Sequence, residues 1–272
     1  MVAFSPQAPQ AAVPVIRAFP LLLLSLLPPA ARADAPADAA LHLDLGREAL
    51  ARHDPVAAVR ELEQAVALAP DSAEAHTALG DAYGRSAEKA GLFGKFGLAR
   101  KCVAEYQRAV ALDPDNVAIH ERLFTYYSRA PALVGGGPER ATAEAAAIAK
   151  LDPARGHLAY ATLDFADAKY DLAFAELNAV LQVAPQNYVV LFQLGRLAAV
   201  SGGHLDRGLA ALRVCLGLAA PPGAPSHAAV QWRIGNILER QGDLAGARAA
   251  YTAALQLEPG FTAASDALAH LQ

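Results

Sequence analysis

The apolar positions of this chain recur at helical spacing, in successive copies of one unit. Near the C-terminal end Ala247, Tyr251 and Ala254 stand at i, i+4 and i+7, which places them on one face of a helix. Ile234-Gly235 precedes them and Pro259 follows. The first copy, Leu45-Gly46, Ala58, Leu62, Ala65 and Pro70, has the same internal spacings. The pattern predicts a pair of helices joined by a turn such as Gln241-Gly242-Asp243. The second helix should stop at the proline, because the residue before proline is pushed out of the α region. Small residues let the two backbones approach, and large ones fill the space between them.

Four further copies lie between these two. Leu79-Gly80 goes with Cys102, Tyr106, Ala109 and Pro114, and Leu123-Phe124 with Ala141, Ala145, Ile148 and Pro153, where small and large have exchanged places. Tyr160-Ala161 goes with Ala173, Leu177, Val180 and Pro185, and Leu194-Gly195 with Gly208, Leu212, Cys215 and Pro221. A Leu-Gly pair followed by Ala, a large residue and Pro resembles the tetratricopeptide repeat. That resemblance implies an all-α fold, an α-solenoid of six helix-turn-helix repeats over 39–72, 73–116, 117–153, 154–187, 188–226 and 228–261. Residues 262–272 would form a capping helix. Stacked repeats bury their apolar faces only against their neighbours, so 34–272 should be one solenoid.

Two copies are longer than the rest. From the first-helix glycine slot to the proline the distance is 24 residues in the first, fourth and sixth copies, but 34 from Gly80 to Pro114 and 29 from Phe124 to Pro153. Both insertions, within 84–101 and 131–138, should be loops emerging side by side on one edge. The first carries Leu92, Phe93, Lys95 and Phe96. One expectation is that its aromatics tuck under the loop as a satellite core. The other is an apolar and basic edge that docks a partner or an anionic membrane surface.

Ahead of the repeats, the ten-residue run from Ala18 to Leu27 follows Arg17 and leads through Pro28-Pro29 to Ala31-Arg32-Ala33. That is the layout of a secretory signal peptide over 1–33, cleaved near Ala33, and it predicts a periplasmic or secreted product. The run is short of the roughly 20 residues a bilayer span needs. Residues 1–16 carry no charge and Met1 is the sole methionine, which points to a translation start nearer Val15.

Charge and motifs narrow the chemistry. A net charge of -4 gives no footprint for nucleic acid. Cys102 and Cys215 fall in small-residue slots three repeats apart, too far to bridge, and act as small hydrophobes. Gly94-Lys95 is followed by Phe96 where a phosphate loop needs Ser or Thr. With no nucleophile elbow, zinc-protease or dinucleotide motif, no enzyme, cofactor or metal site is expected. His42, His76 and His120 share one slot in three successive first helices and are expected to be half-buried packing residues, the alternative being a ladder that senses pH or holds a metal.

In the family the first helices line the concave surface, so the resemblance implies protein or peptide binding there. At helical spacing the candidate groove residues are Arg47, Asp81, Arg85, Glu121, Arg129, Phe165, Phe192, Arg196, Trp232, Asn236 and Arg240. Phe165, Phe192 and Trp232 would be the anchors, with packing between repeats as the competing expectation for Phe165 and Trp232. The slots that hold a terminal carboxylate in chaperone-binding members contain Leu43 and Arg47 here, so that activity is not implied. The expected function is a scaffold or adaptor in the cell envelope acting through the groove. The alternative is a peripheral-membrane or structural module acting through the inserted loops. End-to-end self-assembly stays open.

Overall fold

The described residues, 29–271 of this computed structural model, form thirteen α-helices, many of them bounded by side-chain caps or prolines. In chain order these are α1 (Pro29–Ala51), α2 (Pro55–Leu68), α3 (Ala73–Lys89), α4 (Leu92–Leu112), α5 (Val117–Arg129), α6 (Pro138–Leu151) and α7 (Pro153–Ala166). They continue as α8 (Tyr170–Val183), α9 (Tyr188–Ser201), α10 (Leu205–Leu216), α11 (His227–Arg240), α12 (Leu244–Leu257) and α13 (Thr262–His270). Asp54, Ser72, Asp152, Asn187, Ser226 and Asp243 each accept a hydrogen bond from a backbone amide of the turn they open. Pro55, Pro138 and Pro153 occupy the first turn, where a missing N–H costs nothing. The apolar run Ala18–Leu27 lies outside the described residues, and residues 29–33 belong to the first turns of α1.

Consecutive helices pack in pairs, α1 with α2 through α11 with α12, and first helices also touch across repeats, as α1 with α3 and α9 with α11. The chain is thus an α-solenoid of six helix-turn-helix repeats, closed by α13 against α12. Within a repeat, the large residue of the second helix covers the glycine of the first. A Cβ at Gly46 would run into Leu62, at Gly80 into Tyr106, at Gly195 into Leu212 and at Gly235 into Tyr251. The third repeat inverts the sizes, with Phe124 in the glycine slot and fully buried Ala145 in the large one.

The first insertion is not a loop, which corrects the expectation. α3 continues to Lys89 and α4 begins at Leu92, so the added residues lengthen both helices and the chain reverses over Ala90-Gly91 alone. Leu98 packs against the core, so helix continues because it has something to bury against. The second insertion does stay a loop: a 3-10 turn at Ala132–Val134 ends at Gly135, with φ of 91°, and Gly137, with φ of 141°, opens α6. The two insertions touch. Arg100 Nη2 donates to Leu133 O at 3.3 Å, and the Tyr126 hydroxyl lies 2.9 Å from Ala99 O and 2.7 Å from Val134 O.

The histidine slot extends to a fourth repeat at His157. Each of these histidines faces a glutamate on the second helix of its own repeat through Nδ1: His42–Glu61 at 2.9 Å, His76–Glu105 at 2.5 Å, His120–Glu144 at 2.7 Å and His157–Glu176 at 2.6 Å. His76 and His120 also set Nε2 2.9 Å from the carbonyls of Pro70 and Pro114, tying each repeat to the linker before it. In the fifth and sixth repeats the glutamate slot holds Ala211 and Ala250, and the histidine slot Leu191 and Gln231. Histidine and glutamate come and go together, as expected if either alone would leave a partly buried polar group unanswered. In a double-mutant cycle, His76→Leu with Glu105→Ala should therefore cost less than the sum of the single changes, with a coupling of about 1–3 kcal/mol in urea unfolding. Additive costs would remove the pair from the account.

Candidate functional site

A cleft of about 740 Å³ opens where the lengthened α4 meets the first helices of the second and third repeats. Ala99, Cys102 and Tyr106 of α4 line it together with Asp81 and Glu88 of α3. Lys95 and Phe96 stand on the α4 extension, opposite Glu121, Thr125, Tyr126 and Arg129 of α5, and Pro131 with buried Val134 closes one end. Lys95 and Phe96 of the expected inserted edge and Asp81, Glu121 and Arg129 of the expected groove therefore line one cleft. Leu92 and Phe93 have side chains outside the described residues.

The polar side chains of the cleft are ordered from below. Tyr106 donates its hydroxyl proton to Asp81 Oδ1 at 2.6 Å. Burial first, and then the Asp81 charge, push the phenol well above its ordinary range, so it stays a donor. Arg122 pairs with the other Asp81 oxygen at 3.0 Å, and Arg155 from α7 reaches Glu121 at 3.1 Å. Burial pushes the Cys102 thiol up to about 12, which removes it as a nucleophile at neutral pH. Burial likewise raises the Tyr126 phenol to about 12, and the hydroxyl remains a proton donor between the two insertions. What is left facing the opening is apolar surface from Phe96 and Tyr126, with Lys95, Arg129 and Glu88 exposed on the rim.

A smaller recess of about 360 Å³ continues toward the N-terminal end, lined by Arg47, Leu50, Thr77, Asp81 and Arg122. It is built from α1, α3 and α5, so first helices do share one face. Arg47 there pairs with Glu74, and Arg85 donates to Leu50 O at 3.0 Å, which leaves both engaged within the chain.

The C-terminal half of the expected groove needs correction. Phe192 is only 7% exposed and belongs to the core between α8, α9 and α11, so it is not a groove anchor. Its turn of α9 points inward because Tyr188, Leu191 and Val190 around it are buried too. Trp232 sits half-buried with its ring edge-on to Phe261 at 5.8 Å, against the cap helix. Phe165 is half-buried against Tyr170 at 5.9 Å with the Arg196 guanidinium over its face at 4.5 Å. Asn236 donates to the Tyr251 hydroxyl at 2.9 Å, and Arg240 to Val200 O at 3.1 Å.

Sequence reasoning missed Tyr126, Arg122, Val134 and His157. The histidine signal was present: the His-to-Glu separation is 19 residues in the first and fourth repeats and grows to 29 and 24 in the two that carry insertions. Among the described residues no three metal-ligating side chains come together, and no helix is long and apolar enough to cross a membrane.

Residues 228–261 match the tetratricopeptide repeat family model. No curated protein sequence matches the chain. Among solved structures, PilW, described as a widely conserved type IV pilus biogenesis factor, superposes with a TM-score of 0.65 and 15% identity, over 85% of this chain and 98% of that one. Pseudomonas aeruginosa pilF superposes with a TM-score of 0.61 and 17% identity, over 88% of this chain and 99% of that one. At such identities the likeness speaks to the fold, and what it establishes is a tetratricopeptide-type α-solenoid.

Proposed function

We propose that the protein is a non-catalytic scaffold of the cell envelope that binds a protein or peptide segment along its concave face, with the cleft between α3, α4 and α5 as the principal site. The observation that carries this is the convergence of the α4 extension on the first-helix face. It turns an open groove into a cleft with apolar walls and charged rims, the layout of a peptide site. The secretory-type N-terminal run and the likeness to a type IV pilus biogenesis factor support the envelope location. Because Lys95 and Phe96 line the cleft, the inserted edge belongs to the same site as Asp81, Glu121 and Arg129.

A photo-crosslinking residue at Thr125, exposed in the cleft, should capture one protein from the envelope of the producing cell. The same residue at Gln182, exposed on α8, should not. Phe96→Ala combined with Arg129→Glu should cut the Thr125 yield more than about tenfold, the size of effect expected when an anchor and its rim charge are both lost. Equal yields from both positions, or lipid adducts alone, would refute the cleft as a protein site.

A further inference from the structure

In the fifth and sixth repeats Arg196 of α9 and Arg233 of α11 occupy the slots that Asp81 and Arg122 hold in the second and third, and no carboxylate answers either guanidinium. Both are half-buried, each laid over an aromatic face: Arg196 over Phe165 at 4.5 Å and Arg233 over Trp232 at 4.0 Å. Their hydrogen bonds go to neutral amides. Arg196 Nε donates to Gln193 Oε1 at 2.8 Å and Arg233 Nη1 to Asn236 Oδ1 at 3.3 Å. Arg233 Nε is buried with no partner at all, the single such side-chain atom among the described residues. Glu239, on the same helix, is taken by the Tyr251 hydroxyl at 2.8 Å.

The arrangement differs from the other half of the solenoid. There Arg122 meets Asp81, Arg155 meets Glu121 and Arg47 meets Glu74. Burial, and then the neighbouring Arg196, push the Arg233 guanidinium down to about 10, and it still carries its charge at neutral pH. Two half-buried like charges destabilise the free chain unless an anion offsets them. The fork of a guanidinium matches a carboxylate in shape, and the aromatic faces on either side suit the aliphatic stem that carries one.

We propose that Arg196 and Arg233 form a second subsite that binds an acidic side chain, Asp or Glu, of the partner segment. This rests on the reading that the concave face takes a peptide, and it names a chemical requirement that the cleft between α3 and α5 does not. It also gives the groove a polarity: apolar anchoring at the second and third repeats, acid recognition at the fifth and sixth.

Trp232 is the chain's one tryptophan, so its emission reads this subsite directly. The full chain would be titrated with an acetylated, amidated peptide alternating Glu with apolar residues, with its Gln counterpart, with the Gln peptide carrying a free C-terminus, and with inorganic phosphate. The Glu peptide should shift Trp232 emission saturably and bind at least about tenfold more tightly than the other three probes, as charge-assisted hydrogen bonds require. Arg196→Gln and Arg233→Gln, which relieve repulsion and should fold normally by circular dichroism, should each erase that preference. The proposal is overturned if any other probe matches the Glu peptide, if no probe shifts the emission, or if the preference survives in both variants. Crosslinking at Thr125 is a separate readout. Its persistence without a Trp232 response sinks the subsite and spares the cleft, and the reverse pattern sinks the cleft.

Discussion

Gly156→Leu should split the solenoid. Gly156 sits in the first turns of α7, where a Cβ would overlap the Cα and Cβ of Ala149 on α6, so the obstruction includes backbone that no rotamer change can clear. The corresponding slot in other repeats holds Ala75, Ile119, Val190 and Val230, all buried. Glycine is therefore specific to the joint between the third and fourth repeats. Next to this joint, within α7, one core cluster running from Ala49 to Ala159 gives way to another that starts at Ala161. Overpacking against backbone at such a place should cost about 3 kcal/mol. Because solenoid stability is carried by nearest-neighbour interfaces, the loss should also uncouple the two blocks. Urea unfolding followed by circular dichroism should then show two transitions in place of one. Gly91→Ala is the matched control: its Cβ meets nothing within 4 Å, and its φ of -64° suits any residue. A single unshifted transition in Gly156→Leu would refute the joint.

Tyr251→Ala should be the most damaging truncation in the C-terminal repeat. The ring is fully buried and lies over Gly235, so its removal opens a cavity between α11 and α12 that the glycine cannot fill. The hydroxyl is also placed: it donates to Glu239 Oε2 at 2.8 Å and accepts from Asn236 Nδ2 at 2.9 Å. Burial holds the phenol up at about 12, so both bonds persist across the neutral range. Aromatic-to-alanine changes in cores cost about 3–5 kcal/mol. Tyr251→Phe keeps the ring and loses only the hydrogen bonds, at about 1 kcal/mol. Thermal unfolding of the two variants separates packing from polarity, and equal losses would mean that the ring fills no essential space. The change should also lower Trp232 emission contrast, since Tyr251 and Trp232 share the small core under α13.

Most of the repeat architecture was legible because it depends on local chemistry. Pro70, Pro114, Pro153 and Pro259 end helices by steric exclusion of the preceding residue, and Ser72, Asp152 and Asp243 start them by satisfying free amides. Neither effect needs the rest of the molecule. The pairing of Gly46 with Leu62 and of Gly235 with Tyr251 was also readable, since complementary sizes recur at fixed spacing. The site was less so. Phe192 and Phe165 look alike in a list of apolar helix positions, yet one is buried and the other half-open, because a turn of α9 is covered on both sides and the end of α7 is not. The length of the first insertion was evident, but not that it would continue two helices, which is favourable only because Leu98 finds a surface to cover. By itself, then, the sequence determined the helix ends outside the first insertion, the repeat count and the small-to-large fit within each repeat, all set by interactions between residues near in the chain. Tertiary structure alone decided that the insertion packs beside α5 to wall the cleft, and that Arg196 and Arg233 are left without an acid partner, because both depend on the curvature with which one repeat stacks on the next.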